Sequence, residues 1–223
     1  MRTILLPALL ALAALPSAAQ RVDCSFVLVS TQTNSGTTRS DSITYSFEGP
    51  NTATMVHGSN GQPDVRTIFQ PEEKTITQLH EINGLKGGFV FAMSEKRWPG
   101  MAYSNAEVST EKMKWTGKTR MIDGHECHEA KVTSEEYSGT AWVAKDIPLS
   151  MVRVFSYQSV GAGKSTEEAA MLSTMGLSGL PLEMHLKSRS GKPDVMLRVL
   201  NYHEGADASL FNTAGYSTTY MQE

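Results

Sequence analysis

The 223-residue sequence is short of several residue types and patterns, and each shortage excludes a class of protein. It contains only two cysteines, Cys24 and Cys127, so it is not a disulfide-rich scaffold. No stretch approaches the roughly 20 consecutive apolar residues of a transmembrane helix, so we expect no stable membrane span. No run of basic residues is present, and 20 Lys and Arg stand against 23 Asp and Glu. This balance argues against a nucleic-acid partner.

Local catalytic motifs are also missing. No serine lies in a Gly-x-Ser-x-Gly elbow. The segment from Gly161 to Thr166 has the Gly-Lys-Ser ending of a phosphate-binding loop, but such a loop needs a glycine where Gln158 stands. We interpret the segment as a flexible loop that leads into a helix cap. The sequence therefore predicts a protein that is not an enzyme, with no catalytic residues and no cofactor.

Residues His125 to Glu129 concentrate side chains that bind metals, in the order His-Glu-Cys-His-Glu. The zinc-protease motif requires a second histidine at the position of Glu129, so this segment does not match it. In a strand, His125 and Cys127 would share one face and His128 would take the other. We therefore predict no metal site here.

The N-terminus has the pattern of a secretory signal. Arg2 supplies the positive charge, residues 4–15 the short apolar run, and Ser17-Ala18-Ala19 a small-residue cleavage site. We predict a signal peptide over residues 1–19 and a single β-rich domain over residues 20–223, exported to the periplasm or secreted. Lipid attachment at Cys24 is the alternative, although the large and charged residues before it disfavour that interpretation.

In an oxidising compartment, two cysteines predict a disulfide, here between Cys24 and Cys127. The bridge would close a loop of about 100 residues. However, Cys127 alternates with Glu129 and Lys131, a pattern typical of an outward-facing strand position. Either a β-bulge turns Cys127 inward or the bridge lies on the outer surface.

Turn signals recur at intervals typical of β-hairpins, and the runs between them are rich in Thr, Val, Ile, Tyr and Phe. The stretch from Trp115 to Pro148 predicts three consecutive strands, the first two joined by an Asp123-Gly124 turn. We predict a loop over residues 32–40 and a further strand over residues 151–157. One helix is predicted over residues 165–175, with a capping box at its start and Gly176 at its end. The main turn signals are Gly49-Pro50-Asn51, Asn60-Gly61, Gln70-Pro71, Asn83-Gly84, Pro99-Gly100 and Asp123-Gly124.

Several strands carry apolar residues on both faces, so both faces must be covered. A single curved sheet around a helix satisfies this requirement, as do a barrel and a sandwich. We expect a mainly β protein.

Short motifs from the central stretch onward carry a resemblance to a known family. They are Thr116-Gly117, Ile122 to Cys127, Trp142-Val143, Asp146-Ile147-Pro148, Gly179 to Leu182, Ser209-Leu210-Phe211 and Gly215-Tyr216. With these the chain resembles the bacterial domain-of-unknown-function family numbered 4412, which is similar in architecture to the periplasmic lipoprotein carriers. Thr213 stands where a proline is usual in that family.

The resemblance implies a curved antiparallel half-barrel whose concave face is covered by one helix, and an apolar ligand in that concavity. The expected ligand-lining side chains are aromatic residues and methionines of the predicted lid, namely Trp115, Trp142, Phe89, Phe91, Met171 and Met175. The predicted function is an exported non-enzymatic binding protein that carries or senses a lipid-like molecule. The alternative is an envelope structural or interaction protein without a small-molecule ligand, whose partner is another envelope protein.

Overall fold

The structure is a computed structural model that describes residues 22–58, 62–105, 113–161, 164–176 and 179–221. The predicted signal peptide and the Asn60-Gly61 turn lie outside the described residues. So do Ala162 and Gly163 of the loop before the predicted helix.

In the described part of the chain, twelve strands form one sheet, in the spatial order β12-β6-β5-β4-β3-β2-β1-β11-β10-β9-β8-β7. All neighbouring strands are antiparallel except β12, which runs parallel to β6. The sheet is therefore mixed, curved and open, with β7 and β12 at its edges. The strands are β1 Cys24–Asn34, β2 Thr37–Glu48, β3 Asn51–Val56, β4 Val65–Gln70, β5 Thr75–Ile82, β6 Leu85–Ala92, β7 Lys114–Ile122, β8 His125–Thr133, β9 Tyr137–Ala144, β10 Leu180–Ser188, β11 Asp194–Glu204 and β12 Ser217–Met221.

Two-residue turns with positive φ angles set the hairpin register. Asn83-Gly84 and Asp123-Gly124 both have positive φ at the two central positions, as a type I′ turn requires. Ser35-Gly36 forms a third such turn with φ of 50° and 83°. The prediction of a loop over residues 32–40 is therefore wrong, because this turn lets β1 and β2 extend through that polar segment as one long hairpin.

The described residues form two α-helices, α1 Met151–Ser156 and α2 Glu167–Met175. The predicted strand over residues 151–157 is wrong, since its short apolar run is equally compatible with a buried helix. Ser150 caps α1 by accepting a hydrogen bond from the Arg153 backbone N–H at 3.2 Å. The one helix predicted, over residues 165–175, is confirmed as α2, with Gly176 as its left-handed C-cap at φ 64°.

The start of α2 differs in detail from the predicted capping box. Thr166 is the N-cap and makes no side-chain capping bond. The Ser165 hydroxyl instead accepts from the Glu167 backbone N–H at 3.1 Å. Earlier in the chain, the predicted Pro99-Gly100 turn is part of a 3₁₀ helix, Pro99–Tyr103.

We call the sheet face that packs against α1 and α2 the inner face. Alternate residues of almost every strand point to it, and they form one continuous core with the helices. Phe26, Tyr45 and Phe47 stack on one another across β1 and β2, with ring centroids 5.3 to 6.2 Å apart. Met184 and Leu197 continue the core into β10 and β11.

The opposite, outer face is covered locally by the chain between β11 and β12. Leu210 packs there against Ala53, Ile68 and Leu79. We call residues 205–216 the C-terminal strap. Arg66 of β4 holds the strap, donating to the carbonyls of Ser209 and Asn212 at 2.7 Å each. Each face of the sheet is thus covered in part, the inner face by the helices and the outer face by the strap.

Candidate ligand-binding face

Below the helices, the inner face is filled by aromatic rings. The Trp98 ring lies 4.8 Å from Phe69 and 5.2 Å from Tyr157, and Tyr157 also meets Phe47 edge-on at 5.8 Å. The Trp98 indole N–H donates to the Ser156 carbonyl at 2.7 Å, so its one polar atom is satisfied. This part of the inner face is solid core.

The same face becomes accessible at the edge of the sheet where β3 and β5 end and β4 and β6 begin. Val56 and Val65 are directly opposite each other in the β3–β4 pair and are 48% and 38% exposed. His80 is opposite Val65, and its ring lies 6.0 Å from that of Phe89, which is 40% exposed. We call Val56, Val65, His80, Phe89 and Phe91 the inner-face patch. It continues the buried core as an exposed, mainly apolar surface.

Two of the predicted ligand-lining residues, Phe89 and Phe91, belong to this patch. Their ring centroids are 6.2 Å apart, since both point inward from β6. The guanidinium of Arg97 lies 4.8 Å from the Phe91 ring. The patch therefore has a cationic group at the border where it meets the covered core.

Trp142 lies on the opposite face from the other predicted tryptophan. Ala141 of β9 is opposite Ala130 of β8, which in turn is opposite Trp115 of β7, so these three share the inner face. Trp142 is next in β9 and points outward. The register therefore places Trp142 and Trp115 on different faces of the sheet.

Trp115 points inward, but from the edge strand β7. Its ring is 36% exposed and lies 6.2 Å from the ring of His128. An open groove at the same edge, which we call the edge groove, is lined by Lys114, Trp115, Thr116, Lys118, Glu129 and Lys131. Glu129 is opposite Trp142, so Glu129, Lys131 and Lys114 point to the outer face, whereas the Trp115 ring points inward. Trp115 and the inner-face patch thus lie at opposite ends of the sheet order.

The two methionines of α2 have different environments. Met175 is only 2% exposed and belongs to the core, whereas Met171 is partly buried against it. Met175 therefore acts as core rather than as an accessible ligand contact. Met171 is the α2 methionine with an accessible surface.

The predicted disulfide is not present in this structure, where Cys24 and Cys127 are both buried free thiols. Cys24 lies in β1 and Cys127 in β8, and β11, β10 and β9 separate these strands in the sheet. Burial raises the pKa of Cys24 to about 12, and Arg153 and a hydrogen bond with Tyr202 oppose that shift. Burial and the nearby Asp146 raise the pKa of Cys127 to about 11.

The metal-competent side chains of the segment His125 to Glu129 have separate partners. His125 bonds Asp146 through Nδ1 at 2.8 Å and packs edge-on against Tyr202. His128 contacts Trp115 on the inner face. Among the described residues, no group of three or more potential metal ligands comes together.

Sequence reasoning missed Val56, Val65 and His80 of the inner-face patch. Met55-Val56 lies just before a turn signal, and Val65 starts the next strand after it. The hairpin register that places the two valines opposite each other was the available signal. It required the exact strand ends, which the Asn60-Gly61 signal alone does not give.

The family model described as a domain of unknown function (DUF4412) matches residues 31–216. The chain belongs to this family. No curated protein sequence matches the chain.

Several solved structures resemble this DUF4412 chain. They include PNGF-II (TM-score 0.37, 12% identity, covering 88% of this chain and 31% of that one) and the Pseudomonas aeruginosa MucA/MucB complex (0.43, 14%, 88% and 58%). A LolA superfamily protein from Nitrosomonas europaea has a TM-score of 0.34 and 6% identity, with 88% and 94% of the two chains covered. The chain spans about a third of the PNGF-II chain that it matches. At these identities the resemblance concerns the fold alone.

No helix of the described residues is long and apolar enough to cross a membrane.

Proposed function

We propose that this DUF4412 chain is an exported, non-enzymatic binding protein that carries or senses a lipid-like apolar molecule on the inner face of its sheet. The observation that supports this most is the inner-face patch, where Val56, Val65 and Phe89 continue the core face but stay accessible. Contiguous exposed apolar surface beside a core is characteristic of binding sites.

The patch has a suitable chemistry for an amphipathic ligand. Its valines and phenylalanine rings offer apolar contact, while His80 and the neighbouring Gln78 are partly buried polar groups on the same face. Arg97, over the Phe91 ring, offers a cation to a carboxylate or phosphate headgroup. A few polar groups in a mainly apolar site are the usual composition of a small-molecule site.

The alternative is an envelope interaction protein without a small-molecule ligand. Native mass spectrometry of gently purified protein separates the two. The proposal predicts an additional species heavier than the bare chain, with organic extraction yielding an amphipathic compound. Protein that carries no extra mass, and binds no added fatty acid, would favour the interaction protein.

A further inference from the structure

The edge groove carries an unusual pair of like charges. Lys114 and Lys131 are directly opposite each other in the β7–β8 pair. Like charges in that relation destabilise a sheet. Within the described part of the chain, no carboxylate forms an ion pair with either lysine. An unfavourable pair at an exposed sheet edge indicates a use for the positive charge.

The third lysine of the groove is placed by an irregularity in β7. The β7–β8 register shifts between Trp115 and Thr119, and Gly117 has a φ of 82° at that point. The bulge brings Lys118 to Glu129, with Nζ and Oε2 3.3 Å apart. Glu129 also accepts from the Thr116 hydroxyl at 2.7 Å, and that bond and Lys118 hold its pKa below the usual range.

Among the described residues, Glu129 is the only carboxylate lining the groove, and Lys118 already pairs with it. Lys114 and Lys131 therefore leave the groove positive, in a chain whose overall formal net charge is −3. The positive charge is a local feature of this edge and does not follow from composition.

Apolar side chains are exposed on the inner side of the same sheet edge. Trp115 is 36% exposed and has the Lys145 ammonium 4.3 Å from its ring, while Met121 farther along β7 is 65% exposed. This edge carries two lysines on its outer side and an exposed indole with Lys145 on its inner side. Such an edge is suited to edge-on contact with a lipid–water interface, where the ring lies at headgroup depth and the ammonium groups meet phosphates.

We infer that the edge groove, together with Trp115, Lys145 and Met121, is a docking surface for an anionic lipid membrane. Charge complementarity selects the partner, since lysines attract anionic headgroups strongly and zwitterionic headgroups only weakly. This surface is distinct from the inner-face patch, so vesicle docking and apolar-ligand binding succeed or fail separately.

Cosedimentation with lipid vesicles tests the inference. Wild-type protein should bind phosphatidylglycerol-containing vesicles at low salt, and phosphatidylcholine vesicles much more weakly. Each lysine near an anionic surface contributes about a fivefold change in partitioning, so Lys114→Gln with Lys131→Gln should weaken binding roughly 30-fold. Neutralising two opposed lysines removes a repulsion, so this variant should remain folded.

Lys74→Gln is the matched control, because Lys74 is an exposed lysine in the β4–β5 turn, far from β7 in the sheet order, and its loss should change binding little. Trp115→Ala should weaken binding and remove the fluorescence blue shift that wild-type protein shows on vesicles. Equal binding to both vesicle types, or unchanged binding by the double variant, would overturn the inference. So would displacement by inorganic phosphate at constant ionic strength, because that result would identify a site for free anions instead.

Discussion

The guanidinium of Arg120 lies 4.2 Å from the ring of Trp142, on the outer face of the sheet. The same guanidinium donates to Glu183 at 2.9 Å. One side chain from the edge strand β7 thus crosses the outer face to reach β9 and β10. These two contacts tie β7 to β9 and β10, and the guanidinium partly covers the outward-facing Trp142 ring.

Arg120→Ala should destabilise the protein by about 1–3 kcal/mol, because it removes a cation–π contact and leaves a partly buried carboxylate without its main partner. Urea unfolding followed by circular dichroism measures the change. Arg39→Ala is the control, since the Arg39–Asp41 pair has side chains 77% and 59% exposed and should contribute little. Equal effects of the two substitutions would contradict the role given to Arg120.

Glu183 should make stability depend on pH in the acid range. Burial tends to raise its pKa, but hydrogen bonds from Arg120 and His185 outweigh this and hold the pKa below the usual value. A carboxyl group with a lowered folded-state pKa stabilises the protein above its unfolded pKa of about 4.3, and that contribution is lost as the pH falls further.

Glu183→Gln should therefore lower the free energy of unfolding at pH 7 and flatten its decline between pH 5 and pH 3. Urea midpoints measured across this range provide the comparison with wild type. A decline of the same steepness in both proteins would show that other carboxyl groups dominate.

Arg66 should control the order of the C-terminal strap. Arg66→Ala removes two charged hydrogen bonds to the Ser209 and Asn212 carbonyls, so amide hydrogen exchange in residues 208–216 should accelerate about tenfold or more. Arg66 and Lys86 both lie over the Tyr216 ring, at 5.1 and 5.6 Å from its centroid. Lys86→Ala is therefore the control, because Lys86 bonds neither of these carbonyls. Unchanged protection in the Arg66 variant would mean that Leu210 alone anchors the strap.

The sequence allowed prediction of the features that depend on local chemistry. Asn83-Gly84 and Asp123-Gly124 force tight hairpins wherever they occur, and Gly176 ends a helix through its left-handed conformation. The family resemblance supplied the single open sheet, which the structure shows. Local patterns do not determine which of two periodicities a short apolar run adopts, and Met151–Ser156 became a helix for that reason.

The candidate site could be predicted only in part, because a strand residue's face depends on register across several strands. Phe89 and Phe91 alternate within one strand, and their shared inner face followed from that alone. Trp115 and Trp142 lie in strands separated by β8, so their opposite faces follow from two pairings that include a bulge. The exposure of Val56 and Val65 depends on where the helices stop covering the sheet.

The two thiols should be unreactive in the native protein. Both are fully buried, and with pKa values of about 12 for Cys24 and about 11 for Cys127 neither forms appreciable thiolate at pH 8. Iodoacetamide without reductant should label neither thiol in native protein and both after denaturation, as intact mass shows. Denatured protein that takes no label until it is reduced would establish the disulfide that the cysteine content predicts.

The most direct test of the central proposal is the binding of a fluorescent fatty acid to three forms of the protein. Phe89 and Tyr220 lie on the neighbouring strands β6 and β12, and both are exposed. Phe89 is opposite Thr219, whereas Tyr220 is opposite Val90 and points to the outer face. Phe89→Lys and Tyr220→Lys therefore make the same charge change on the two sides of one sheet.

We predict that wild type and Tyr220→Lys bind the probe equally, and that Phe89→Lys binds it at least about tenfold more weakly. A loss of this size is expected when one apolar side chain no longer contacts the ligand. Circular dichroism should show the same fold in all three proteins. Failure of the wild-type protein to bind the probe, or equal loss of binding in both variants, would contradict an apolar ligand on the inner face.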